Sequence, residues 1–237
     1  DQQVSMADPD KIIRLLQRPA VQRVFRRITR RRADGSCTLA DFFRAYAAGR
    51  MTFGQRLKFA VPMWVAEYVR RKVGASRETL ARRVFGHGPT ARALVNTVRS
   101  VGHFGLTEPQ NFVAPLMVVW NFTQACNFKC QHCYQDAHRV LPDELSLQEK
   151  LALVDKLAAL DVSMLAFSGG EPLMGPHFWE VARHAGEVGF HMSVATNGSL
   201  LTPETVQRLV DAKVGYCEIS LDSIDPAKHD TFRGGQG

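Results

Sequence analysis

No apolar run in this 237-residue chain is long enough to span a bilayer. The longest uninterrupted one, Leu116 to Trp120, has five residues, against the roughly 20 a spanning helix needs. The first residues lack the basic, apolar, small-residue order of a signal peptide. Five cysteines, three of them within eight positions, are too few and too clustered for a disulfide framework. Thiols grouped in this way indicate a metal site in a reducing compartment, so a cytoplasmic location is expected. There is no internal repeat and no low-complexity tract. Hydrophobic residues at 45% and charged residues at 22% exclude wholesale disorder.

The net charge of +7 hides a division. Residues 1–110 carry 21 Lys and Arg against 8 Asp and Glu, whereas residues 111–237 carry 9 against 15. A basic half at +13 therefore precedes an acidic half at −6.

The basic half reads as helical throughout. Met6 would make a natural start, with Asp8 as N-cap and Pro9 at the first helical position. Ile12, Leu15, Leu16, Pro19, Val21, Val24, Phe25 and Ile28 form one apolar stripe flanked by arginines, which Asp34-Gly35 breaks. A second helix is predicted over 38–48, and a third over 53–73 with a kink at Pro62. Shorter helices at 77–85 and 91–101 are separated by Gly86-His87-Gly88-Pro89. Trp64, Met63 and Phe59 read as helix core, Cys37 and Cys217 as packing thiols, and His87 and His103 as solvated. Residues 1–101 thus form a basic all-α domain, and 102–115, with two glycines and two prolines, a linker.

From residue 116 the rhythm changes to strand and helix in alternation. Strands are predicted over 116–122, 164–168, 191–196 and 214–221, and helices over 147–160, 177–188 and 202–212. Ser146 and Glu149 form a capping box at the first of these helices. Short connections between alternating elements mean parallel β/α units. In the fourth strand Tyr216, Glu218, Ser220 and Asp222 share one face, and Cys217, Ile219 and Leu221 the other. A polar face on a parallel strand points to a curved, barrel-like sheet with a wet interior rather than a flat doubly wound one.

Cys126, Cys130 and Cys133 follow the first strand with the spacing C-x3-C-x2-C. Three thiolates on so short a loop can each bind a different iron of a cubane cluster, leaving a fourth iron free. They can also hold zinc, with His132 or His138 as the fourth ligand. Spacing alone leaves both open.

Five segments in order resemble the radical S-adenosylmethionine (SAM) superfamily. They are Cys126-Asn-Phe-Lys-Cys130-Gln-His-Cys133-Tyr134, Gly169-Gly170-Glu171-Pro172, Thr196-Asn197-Gly198, Ser220-Leu-Asp222-Ser223 and His229-Asp230-x-x-Arg233-Gly234. The approach Trp120-Asn121-Phe122-Thr123 is similar too. The resemblance covers about residues 113–237 and implies an α/β fold, a partial TIM-like barrel of which the first four β/α units are present, preceded by the all-α domain. It also implies about two further units of roughly 30 residues each.

The resemblance implies that the three cysteines hold a 4Fe–4S cluster whose open iron binds SAM. Gly169, Gly170, Glu171 and Pro172 would line the methionine amino group, with Glu171 favouring the ammonium, and Tyr134 would lie beside adenine. Asn197 and Ser220 would bond the cofactor, Ser220 near the ribose or carboxylate, and Asp222 shares that role or caps a helix or turn. Arg233 would clamp a carboxylate, or stand as an exposed loop arginine. Reductive cleavage of SAM would then yield a 5′-deoxyadenosyl radical that abstracts hydrogen. The expected partners are a one-electron donor of flavodoxin or ferredoxin type and a peptide, tetrapyrrole or other cofactor precursor, as in the peptide- and cofactor-maturing (SPASM-associated) branch. The alternative is a basic helical protein that binds nucleic acid or a membrane and carries structural zinc. No helix-turn-helix or aromatic–basic interleaving supports nucleic acid. An arginine face at Arg26, Arg27, Arg30 and Arg31 is expected to meet an acidic partner, an anionic substrate or a membrane surface.

Overall fold

The computed structural model describes residues 9–235; Met6, Asp8 and the side chain of Ile12 lie outside the described residues. The chain divides at Leu116/Met117 into two compact units.

The first unit contains helices α1 (Pro9–Leu16), α2 (Pro19–Ile28), α3 (Thr38–Ala47), α4 (Phe53–Lys58), α5 (Ala60–Lys72), α6 (Arg77–Thr79) and α7 (Gly88–Phe104), with a π-helical turn at Leu80–Phe85. No strand occurs among its described residues. The stripe expected to be one helix is two: Pro19 opens α2 at its first turn, where its missing N–H is no loss. The break in the third helix falls at Phe59 rather than at Pro62. A proline ring meets the carbonyl four residues earlier, here that of Lys58, so the ladder opens one turn ahead of it. Gly88 and Pro89 form the first turn of α7 instead of a separator, and α7 runs on through residues 102–104.

The core of this unit is aromatic. Phe42 contacts Phe43, Tyr46, Phe59 and Phe85, and Phe43 stacks on Phe85 with centroids 4.4 Å apart. Cys37 is buried, and its sulfur accepts from the Ala40 N–H at the start of α3. Phe59 is core, but Trp64 is 68% exposed and faces away from it, against expectation.

The second unit is a parallel sheet, β1 (Met117–Thr123), β2 (Met164–Gly169), β3 (His191–Thr196) and β4 (Val214–Ile219), in the order β1-β2-β3-β4. Helices α8 (Leu147–Ala159), α9 (Phe178–Val188) and α10 (Pro203–Asp211) connect the strands, and α11 (Pro226–Arg233) follows. The capping box at Ser146 and Glu149 is present. The register aligns Trp120, Phe167, Val194 and Cys217 in one row. That face packs on Val154, Phe178 and Val181 of the connecting helices. The adjacent row, Val119, Ala166, Ser193 and Tyr216, lies on the opposite face, where Val119 is 56% and Tyr216 58% exposed. A parallel sheet with one apolar, helix-covered face and one open face of mixed polarity is consistent with part of a barrel wall. β4 ends at Ile219, so Ser220 and Asp222 lie beyond the strand, in the loop that follows.

Candidate active site at the strand ends

The cysteine loop leaves the C-terminal end of β1, where parallel β/α folds place their sites, and three segments grip it. The turn after β2 grips its root: Gly170 N donates to Thr123 O (2.8 Å) and Glu171 N to Ala125 O (2.7 Å). A Cβ on Gly170 would stand 2.2 Å from the Ala125 carbonyl oxygen, and Gly169 has φ +112°. Only glycine allows backbones this close. After β3, Asn197 Nδ2 donates to Asn127 Oδ1, and Asn127 Nδ2 to Ser199 Oγ, both at 2.8 Å. Finally, the C-terminal end of α11 pairs with the loop's middle. Lys129 N donates to Arg233 O (3.2 Å) and Gln131 N to Phe232 O (2.9 Å), while the His132 and Phe232 rings stack 4.6 Å apart at 8°.

Held in this way, Cys126, Cys130 and Cys133 line one cavity with Gly169, Gly170, Asn197 and Ser220. Cys133 is exposed and the other two are half-buried. Burial pushes the Cys130 thiol up, with Arg233 opposing. Among the described residues no three His, Cys, Asp or Glu side chains gather where a single metal ion could sit. His132 is stacked on Phe232, and His138 Nδ1 lies 2.7 Å from Asp136 O. Three thiols along one cavity suit a cluster that takes one sulfur per iron.

Three expected roles need correction. Glu171 does not face the cavity: it is fully buried. Its Oε1 accepts from Thr196 Oγ1 (2.9 Å) and Leu173 N (3.2 Å), and its Oε2 from Asn197 N (2.8 Å). The carboxylate thus ties the β2 turn to the end of β3, and burial holds its pKa above the ordinary value against those hydrogen bonds. Arg233 is 8% exposed rather than an exposed loop arginine. Its Nε bonds Asp222 Oδ2 at 2.5 Å, which lowers the Asp222 pKa. Asp222 N donates to Nδ1 of the buried His229 (3.3 Å). Asp222 is therefore a tether for α11, although Arg233 still lines the cysteine cavity. Pro172 opens a short 3-10 turn, Ser220 N bonds Thr196 O (3.0 Å), and Tyr134 is 83% exposed at the cavity edge.

Sequence reasoning missed several supporting residues. Asn127 and Ser199 are polar loop residues with no local signal beyond the Asx-type bond from Ser199 N to Asn197 Oδ1 (2.9 Å). Glu144 Oε1 accepts from Thr123 Oγ1 (3.0 Å) and Gln124 N (2.8 Å), fixing the chain as it enters the loop. Lys150 is 1% exposed; its Nζ donates to Pro176 O (3.0 Å) and lies 4.1 Å from the Phe122 ring centroid. Its position on an otherwise ordinary amphipathic helix gives no hint of this.

Comparison with known proteins agrees with this geometry. Residues 120–237 match the model of the radical SAM superfamily. An AdoMet-dependent heme synthase of Methanosarcina barkeri is 38% identical over 125 residues, 52% of this chain and 36% of that protein. The mycofactocin maturase MftC of Mycobacterium tuberculosis is 34% identical over 121 residues, 51% of this chain and 31% of that protein. The chain spans about a third of the length of these relatives. The crystal structure of Streptococcus suis SuiB bound to S-adenosylmethionine superposes with a TM-score of 0.51 at 17% identity, over 85% of this chain and 44% of that one, a likeness of fold. The sheet, the cysteine loop it carries and the match over residues 120–237 together identify the chain as a member of the radical SAM superfamily.

Proposed function

We propose that Cys126, Cys130 and Cys133 hold a 4Fe–4S cluster and that the protein is a SAM-cleaving enzyme acting on a tetrapyrrole or another cofactor precursor. The observation that carries this reading is the single cavity shared by the three thiols with Gly169, Gly170, Asn197 and Ser220. Bound there and reduced, the cluster would supply the electron that breaks a carbon–sulfur bond of SAM. The chain's own groups would bind and orient. Backbone of Gly169 and Gly170 would receive the amino-acid end, with Pro172 shaping the turn. Asn197 and Ser220 would bond the sugar end, and Tyr134 would cover the base. The guanidinium N–H groups of Arg233 beyond the one on Asp222 would meet a carboxylate. Heme synthases among the relatives support a tetrapyrrole substrate, and the mycofactocin maturases support a peptide as the second choice. A flavodoxin- or ferredoxin-type donor and a cytoplasmic location belong to the same reading.

The test is anaerobic reconstitution of the full-length protein with iron and sulfide, followed by chromatography of SAM products after reduction. At least four irons per chain and release of 5′-deoxyadenosine and methionine are expected. Changing Cys126, Cys130 or Cys133 singly to Ala should lower the iron content by about one cluster and abolish cleavage. Stoichiometric zinc in place of iron, or a cluster that survives Cys130→Ala, would return the protein to the class of basic binding modules with structural zinc.

A further inference from the structure

Helices α4 and α5 are apolar on two opposite faces. Phe59 and Ala66 are buried in the helical core, and Met63 packs against it. On the far side, at helical spacing, Leu57 (74% exposed), Val61 (66%), Trp64 (68%), Val65 and Tyr68 stand in solvent, continued by Phe53 (85%) and Val73 (68%). An exposed apolar patch of this kind marks an interaction surface.

The chemistry around the patch selects the occupant. Trp64 and Tyr68 stack, with centroids 5.8 Å apart and planes at 19°, presenting two amphipathic rings side by side. Arg56, Lys58, Arg71 and Lys72 are exposed on the same two helices. The one acid of residues 53–73, Glu67, is turned away, taking bonds from Tyr46 Oη (3.0 Å), Arg70 Nε (2.9 Å) and Arg77 Nε (2.9 Å). Within residues 53–73 the exposed charge is therefore of one sign, with Lys58, Arg71 and Lys72 flanking the patch while Arg56 also lines a cavity with Glu67 and Glu78. Aromatic and aliphatic side chains flanked by Lys and Arg are what a helix needs to lie in the headgroup region of an anionic bilayer. No helix among the described residues is long and apolar enough to cross one. We propose that α4–α5 docks the protein peripherally on an anionic lipid surface, with Leu57, Val61, Trp64 and Tyr68 entering the boundary between headgroups and acyl chains. This face is separate from the arginines of α2 and does not depend on the chemistry at the cysteines.

The experiment is co-sedimentation of the full-length protein with phosphatidylcholine vesicles, with and without phosphatidylglycerol. Binding is expected only with phosphatidylglycerol, falling as salt rises. The double variant Val61→Ser/Trp64→Ser should bind about tenfold more weakly, and Trp64→Phe should keep most of the binding. Replacing Arg56, Lys58, Arg71 and Lys72 by Gln should remove the salt dependence. Because these side chains are exposed, thermal midpoints should not move. No binding to anionic vesicles, or equal binding by wild type and the double variant, would overturn the proposal. So would a fall in the midpoint of the double variant, which means that another part of the protein covers the face. Loss of a dimer in that variant would assign the face to a second copy and overturn it equally.

Discussion

Glu171 shows how a motif residue can serve its site without touching it. Its carboxylate accepts from Thr196, Leu173 and Asn197 in a buried setting. Glu171→Ala leaves these donors without partners, at about 1–3 kcal/mol for an orphaned buried donor. Denaturant unfolding should register that loss, and SAM affinity should fall with it as the Asn197 turn shifts, while iron content stays. Glu171→Gln should cost less. Because burial raises this carboxyl's pKa, the folded chain holds its proton more tightly than the unfolded chain. The resulting stabilisation is complete below the unfolded pKa and is lost as pH rises through the raised value. Glu171→Gln lacks this dependence. Its urea midpoint should therefore gain on that of the wild type as pH rises across that interval; a constant difference would show that Glu171 keeps an unshifted pKa.

The cysteine loop takes its shape from three neighbouring segments more than from its own bonds, and α11 contributes most. Gly234 ends this helix at φ +60°, and a Cβ there would meet the Lys129 carbonyl oxygen at 2.6 Å. Gly234→Ala should therefore push the loop off the helix, lowering both the thermal midpoint and the iron retained after desalting. Asn127→Ala breaks the bonds to Asn197 and Ser199. It should weaken iron retention with a smaller loss of stability, since these side chains are solvent-exposed. If Gly234→Ala keeps full iron, α11 is not a support of the loop. In the helical unit a comparable role falls to Phe42, 1% exposed at the centre of the aromatic core. Phe42→Ala should cost that unit about 3–5 kcal/mol, read by denaturant titration.

Across the chain, the open face of the half-barrel and the outer edge of β4 are where stability and function compete. Tyr216, Ile219 and Leu221 are more than half exposed on or just beyond this edge strand, and an unprotected apolar edge invites pairing with other chains. The 237-residue chain alone should aggregate, and Ile219→Lys with Leu221→Lys should lower its light scattering without changing its helix content. Much of this architecture was legible from residue order. The alternation of strand and helix after residue 116 and the capping box at Ser146 are local patterns, and local sterics and hydrogen bonding decide them; the two-residue periodicity read for β4 is not kept, since Ile219 and Leu221 are both exposed. The cysteine spacing and the ordered motifs likewise marked the site, because ligand chemistry constrains residue type. What residue order left open were contacts between distant segments: Glu171 turned inward, Arg233 buried against Asp222, and Asn127 bonded to Ser199 across 72 positions. It misplaced Trp64, read as helix core yet 68% exposed, since a helix apolar on both faces does not say which face the core takes. Such outcomes depend on which neighbours the fold brings within hydrogen-bonding or packing distance, and only the tertiary structure decides that.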